Sequence, residues 1–139
     1  MEIKDTGELP ITSEGDMVTC RKVIRTLATS VGFGMTDVTR IVTSVSELAR
    51  NIYTHAGSDG VMQWHILHQS GKVGLELIFE DQGIGIANIE QAMQSGFTTA
   101  ANSLGMGMSG VKRLMDEMDV QSEVGVGTTV KVTKWGRAK

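Results

Sequence analysis

Val38-Thr39-Arg40-Ile41-Val42-Thr43-Ser44-Val45-Ser46-Glu47-Leu48-Ala49-Arg50-Asn51-Ile52 carries apolar residues at intervals of three and four, the spacing of one helix face. Val38, Ile41, Val42, Val45, Leu48, Ala49 and Ile52 form that stripe. Thr36 is placed to cap the helix, and Asp37 suits its positive N-terminus. The end is expected around Tyr53, before Gly57-Ser58-Asp59-Gly60. Glu47 and Asn51 stand at i and i+4, so they project from one side of the helix. A carboxylate there can orient or deprotonate a nucleophile, and an amide oxygen can ligate a hard cation. Mg²⁺ often takes only one or two protein ligands, the rest coming from phosphates and water.

Upstream, Ser13 or Asp16 can cap a first helix running to about Val31, with Met17, Cys20, Val23, Ile24, Leu27 and Val31 on its apolar face. Cys20 lies on that face, which predicts a buried, inert thiol. A short strand ending near Pro10-Ile11 precedes it. Downstream, Val61–His68 and Val73–Glu80 alternate as two strands joined by a turn at Gln69-Ser70-Gly71-Lys72. A short helix is expected over Ile89–Met93. Ser95–Ser103 is small and polar, which suits a mobile lid or an ordinary surface loop. A third helix is expected from Met108 to Met118, then a closing hairpin, residues 119–124 and 128–135, around Gly125-Val126-Gly127. This order predicts an α+β fold: a two-layer sandwich of a mixed, mostly antiparallel sheet with helices on one face.

The 139 residues fit one domain, 1–139, and the 40% hydrophobic content suffices for one core. Aromatic residues make up only 4%, so the nine methionines are expected to fill core space. A net charge of -3 with scattered basic residues argues against a nucleic-acid-binding face. No apolar run approaches the roughly 18 residues of a membrane span, and the N-terminus lacks a signal-peptide pattern. A cytoplasmic protein is expected. Cys20 is the single cysteine, so it has no internal disulfide partner. His65 and His68 lack further ligands at metal-binding spacing.

Two more segments carry chemistry. Asp81 is followed by Gly83 and Gly85, alternate glycines that let the backbone approach a flat ligand. A carboxylate beside them can accept a hydrogen bond from the exocyclic amine of adenine, where guanine has a carbonyl. Gly105-Met106-Gly107-Met108-Ser109-Gly110 matches G-x-G-x-x-G. The dinucleotide reading fails, because the motif follows a polar loop and only a closing hairpin remains after its helix. A protein-kinase glycine loop fails too, since the lysine strand and catalytic loop do not fit in the remaining chain. Backbone N–H groups freed by glycines at a helix start can still hold phosphates. Lys112 and Arg113, one turn further, can add positive field or be solvated surface charges.

In this order and spacing, these segments and Gly127-Thr128-Thr129 resemble the N box, the two glycine boxes and the Gly-Thr element of the GHKL ATPase/kinase superfamily, with its Bergerat ATP-binding fold. The resemblance spans about 36 to 135. More narrowly, Ser46–Ala56 (SELARNIYTHA), Phe79–Ile86 (FEDQGIGI), Lys112–Glu117 (KRLMDE) and Gly127–Trp135 (GTTVKVTKW) are similar to the RsbT-type serine/threonine switch kinases of bacterial partner-switching systems. The resemblance implies ATP and Mg²⁺ as cofactors, Glu47 as general base and Asn51 as the Mg²⁺ ligand. It implies that Asp81 recognises adenine, with Gly83, Gly85 and Thr128 or Thr129 completing the base pocket. Ser103, Gly105, Met106, Gly107 and Met108 would hold the phosphates. It further implies a substrate hydroxyl on a STAS-domain protein, then release of the kinase to activate a partner such as a PP2C-type phosphatase.

Ile84 stands where relatives often have proline, and Met106 and Met108 replace the usual leucines. Altered lid mobility with ATP binding retained is the expectation. Alternatives are an anti-sigma factor sequestering a sigma factor, with kinase activity as its release switch, and a detached histidine-kinase catalytic domain. The chain has no room for the phospho-accepting helical hairpin of the latter. A binding module without turnover fits poorly with intact Glu47 and Asn51.

Overall fold

The computed structural model describes residues 2–56, 59–83, 85–86 and 107–137. Among the described residues five strands form one sheet: β1 (Glu2–Ile11), β2 (Gly60–Gln69), β3 (Lys72–Asp81), β4 (Glu117–Glu123) and β5 (Gly127–Arg137). Their order is β1-β2-β3-β5-β4, and every pairing is antiparallel. Helices α1 (Glu14–Ser30), α2 (Met35–Asn51) and α3 (Gly107–Leu114) share one apolar core with the sheet. The alternation of β3 shows how. Val73, Leu75, Leu77 and Phe79 are buried in that core, while Glu76 and Glu80 stand on the outer face.

Local chemistry accounts for most boundaries. Ser13 is the N-cap of α1, its Oγ accepting from the Asp16 N–H at 3.3 Å. Asp16 Oδ2 in turn accepts from both the Oγ1 and the N–H of Thr12, each at 2.8 Å. This is close to a reciprocal capping box, and the Thr12 hydroxyl chiefly holds the Asp16 carboxyl below its ordinary value. The β2–β3 turn puts Ser70 and Gly71 at φ 52° and 78°, the two positive values of a type I′ hairpin, which matches strand twist.

Two boundaries differ from the sequence reading. Gly34, not Thr36, is the N-cap of α2, and it makes no side-chain cap bond. The third helix stops at Leu114 rather than Met118. The Asp116 N–H donates to the Thr133 carbonyl at 3.0 Å, so the chain has already joined the sheet, and Met118 pairs with Val132 in β4. Apolar periodicity continued past the helix because strand and helix bury their residues in one core. The expected Ile89–Met93 helix and Ser95–Ser103 loop lie outside the described residues.

Lys134 fastens three elements together. Its Nζ donates to the Leu114 carbonyl at 3.0 Å, at the negative end of α3. It also lies 3.4 Å from Asp116 Oδ1 and 3.8 Å from Asp37 Oδ1 at the start of α2. Asp116 Oδ2 accepts the Trp135 N–H at 2.7 Å, and Glu117 Oε2 accepts Trp135 Nε1–H at 2.7 Å. The Leu114–Glu117 and Lys134–Trp135 pieces of the family resemblance are therefore one structural clamp.

Met62, Met108 and Met115 are buried in the core, as the low aromatic content requires. Met35 is not, at 87% exposed. Among the described residues, no helix is long and apolar enough to cross a membrane. Cys20 is fully buried, and loss of water pushes its thiol up to about 11, with the Asp16 charge adding to the effect.

Three outcomes follow from this core. Leu77→Ala should lower unfolding free energy by about 2–5 kcal/mol in urea titrations. Cys20 should resist iodoacetamide until the protein unfolds. Because the folded thiol keeps its proton above its ordinary value of 9.0, stability should fall as pH rises between about 9 and 11; Cys20→Ala should flatten that slope.

Candidate functional site

The register of the sheet builds the site. Ile11, Gly60, Asp81, Thr128 and Ser122 are successive Cα partners, one from each strand. By strand parity all five lie on the helix-bearing face. Thr128 therefore stands beside Asp81, whereas Thr129 turns to the outer face, where its Oγ1 is 3.5 Å from Glu80 Oε2. The sequence left open which of the two threonines accompanies Asp81, and pairing parity separates them.

Close backbone approach fixes this end of the sheet. Gly127 has φ 145°, and a Cβ there would run into the Asp81 carbonyl oxygen. Gly85 has φ 80°, and a Cβ there would meet the Glu123 carbonyl. The Gly83 N–H donates to Asp81 Oδ1 at 2.9 Å. Among the described residues Asp81 Oδ2 has no hydrogen-bond partner, so a carboxylate acceptor remains for a ligand. Ser122 Oγ accepts from the Ile86 N–H at 2.7 Å and lies 3.1 Å from the Gly127 carbonyl and 2.8 Å from Thr128 Oγ1. A cleft of about 360 Å³ opens at this end of the sheet, bordered by Asp81, Ser122, Gly127 and Thr128 and equally by Glu80, Gln121 and Thr129 of the outer-face row.

Helix α2 brings its C-terminal end to the same place. Asn51 is its last residue, and the chain then widens into a π-helical turn, Ile52–Ala56, a feature frequent at functional sites. A Cβ on Gly60 would lie 2.7 Å from Ile52 Cγ2. Ile52 thus sits on the strand partner of Asp81, one residue from Asn51. Glu47 lies one turn back, about 6 Å along the axis. It is off the sheet-facing stripe, yet only 5% exposed. The Arg50 Nη2 group donates to its Oε2 at 2.7 Å, an i,i+3 ion pair. Glu47 and Asn51 do not line the 360 Å³ cleft itself.

The remaining candidates divide. Gly107 opens α3, and the Met108 side chain is buried in the core, so only its backbone can serve a ligand. Ser103, Gly105 and Met106, with Ile84, lie outside the described residues. Lys112 and Arg113 are exposed in the last turn of α3. Among the described residues no cluster of acidic, histidine or cysteine side chains forms a metal site. Sequence reasoning passed over Arg50, Ser122 and Lys134. The i,i+3 spacing could have flagged Arg50, but Ser122 and Lys134 become visible only once strand register is known.

The donor set fits a purine nucleotide: a half-buried carboxylate acceptor, close-approach glycines beside it, and an amide at a helix end. The comparisons agree with this class. Residues 9–134 match the histidine kinase-like ATPase domain model. The chain is 44% identical over 135 residues to the serine/threonine-protein kinase RsbT of Bacillus subtilis (strain 168), covering 97% of this chain and all of that one. It is 40% identical over 106 residues to an anti-sigma F factor of Geobacillus sp. (strain WCH70), covering 73% and 71%. The solved RsbU and RsbW domains of Rv1364c from Mycobacterium tuberculosis align with a TM-score of 0.63 at 18% identity, covering 98% of this chain and 34% of that one; this supports the fold alone. The chain belongs to the histidine kinase-like ATPase family, in its RsbT-type branch.

Gly127→Ala should lower the thermal midpoint clearly more than Gly125→Ala. Gly125, at φ 82°, meets nothing within 4 Å, so alanine there adds only backbone strain of about 1–2 kcal/mol. At Gly127 the collision with Asp81 comes on top. Equal midpoints for the two variants would contradict the close approach.

Proposed function

We propose that this protein is an ATP-dependent serine/threonine kinase that phosphorylates a STAS-domain protein in a bacterial partner-switching pathway. Once released, it would activate a further regulator such as a PP2C-type phosphatase. The observation that carries the reading is the cross-strand row that sets Asp81 beside Thr128, with Ile52, next to Asn51, packed on the same row at Gly60. A nucleotide whose base meets Asp81 would reach toward the end of α2 with its phosphates. The 44% identity to a serine/threonine-protein kinase over nearly the whole chain supports the activity.

Phosphoryl transfer depends on positioning and charge neutralisation more than on covalent chemistry. Asp81 accepts the exocyclic amine of the base. The alternate glycines admit the base against backbone. Asn51 offers an amide oxygen to Mg²⁺, which would neutralise phosphate charge when bound. Arg50 holds one carboxylate oxygen of Glu47 in place. Glu47 accepts the proton of the attacking serine or threonine hydroxyl as its oxygen bonds to the γ-phosphorus and ADP leaves. The backbone of Gly107, which opens α3, would help hold the phosphates.

A second reading has its own support. The 40% identity to an anti-sigma F factor favours a protein that sequesters a sigma factor. The higher identity and fuller coverage of the kinase relative weigh for the first reading.

Incubation with labelled ATP, Mg²⁺ and purified STAS-domain proteins tests the proposal, with label expected on one serine or threonine. Glu47→Gln, which keeps the side-chain shape, should cut transfer about 10²–10⁴-fold while ATP affinity stays near the parent value. Undiminished transfer would remove Glu47 from the base role. Asn51→Ala should weaken ATP binding in Mg²⁺ and change it little in EDTA; equal affinity for parent and variant in Mg²⁺ would reject the ligand assignment. Capture of a purified sigma factor without labelling of any STAS protein would favour the second reading.

A further inference from the structure

We infer that Ser122 sets nucleotide-base specificity by fixing the direction of the Thr128 hydroxyl. The inference rests on the reading that the base lies against Asp81 and Thr128. Ser122 Oγ has three polar neighbours: the Ile86 nitrogen at 2.7 Å, the Gly127 carbonyl at 3.1 Å and Thr128 Oγ1 at 2.8 Å. A serine hydroxyl has one hydrogen and two lone pairs. The Ile86 N–H can only donate, so it takes one lone pair. The Gly127 carbonyl can only accept, so it takes the hydrogen. One lone pair is left for Thr128, which must therefore donate. This is the single arrangement that satisfies all three contacts, and it occupies the Thr128 hydrogen.

Thr128 then offers lone pairs only. Its strand partner Asp81 is also an acceptor, with Oδ1 taken by the Gly83 N–H. Two neighbouring acceptors favour a base edge that presents an amine, as adenine does. They repel the carbonyl that guanine and hypoxanthine carry at the same position, because two acceptors facing each other leave both without a donor. Ser122 touches no ligand in this scheme. It is a positioning residue, and it acts on discrimination rather than on transfer.

The test compares ATP with inosine triphosphate by calorimetry in Mg²⁺, since the two differ at that carbonyl. Ser122→Ala frees the Thr128 hydrogen to donate to the carbonyl, so the ATP-to-ITP affinity ratio should fall about tenfold. Ser122→Thr keeps a hydroxyl and should keep the parent ratio. Thr128→Val should weaken ATP but not ITP, and adding Ser122→Ala to it should leave the ratio where Thr128→Val put it. Thermal melts confirm that each variant is folded. If Ser122→Ala is unfolded, the Thr128→Val result decides: weaker ITP binding would mean that the hydroxyl donates to the base, and the inference falls. An unchanged ratio in folded Ser122→Ala, even with both affinities lower, would reduce Ser122 to a structural tie. Asp81→Asn separates the two levels. If it leaves the ATP-to-ITP ratio unaltered, the base does not meet Asp81 and the underlying reading fails. If it shifts the ratio while Ser122→Ala does not, only the inference about Ser122 fails.

Discussion

The arrangement depends on a backbone contact: Gly127 lies so close to the carbonyl of Asp81 that no side chain fits between them. Antiparallel strands normally keep their side chains clear of the neighbouring backbone, so this approach requires glycine and a positive φ. It seats the β4–β5 hairpin on the end of β3 and thereby fixes Thr128 and Ser122 relative to Asp81. The same logic recurs at Gly85 against the Glu123 carbonyl and at Gly60 under Ile52. Three missing side chains bring a loop, a hairpin and a helix end to one edge of the sheet.

A second constraint acts from the opposite end of the core. Lys134 is buried, and a buried ammonium is tolerated only when paired and hydrogen-bonded. Its partners are the Leu114 carbonyl and the carboxylates of Asp116 and Asp37. These groups fix the end of α3 and the start of α2 against β5. Since α2 is a single rigid element, holding its N-terminus at one end of the sheet sets where Glu47 and Asn51 fall at the other. The clamp is distant from the candidate site and still determines its geometry.

The sequence was most legible where one periodicity held over many residues. The α2 stripe, the alternation of β3 and the glycine turn after Gln69 each gave the right element. It misled where periodicity crossed a boundary: Met115 and Met118 continue an apolar pattern although one follows a helix and the other sits in a strand. At the start of α2, Thr36 looked like a cap, but the chain enters the helix at Gly34. Cap geometry depends on backbone angles at a single residue, and composition does not encode them.

Sequence by itself determined the α+β class, the helix bearing Glu47 and Asn51, and the acidic-glycine segment at Asp81, because hydrophobic period and glycine placement are local properties of the chain. Tertiary structure alone decided that Thr128 rather than Thr129 stands with Asp81, that Ser122 ties the glycine loop to the hairpin, and that the Glu47 carboxylate is buried. Those facts depend on strand register and on the packing of segments far apart in the chain. A register slip of one residue would turn each strand residue to the other face.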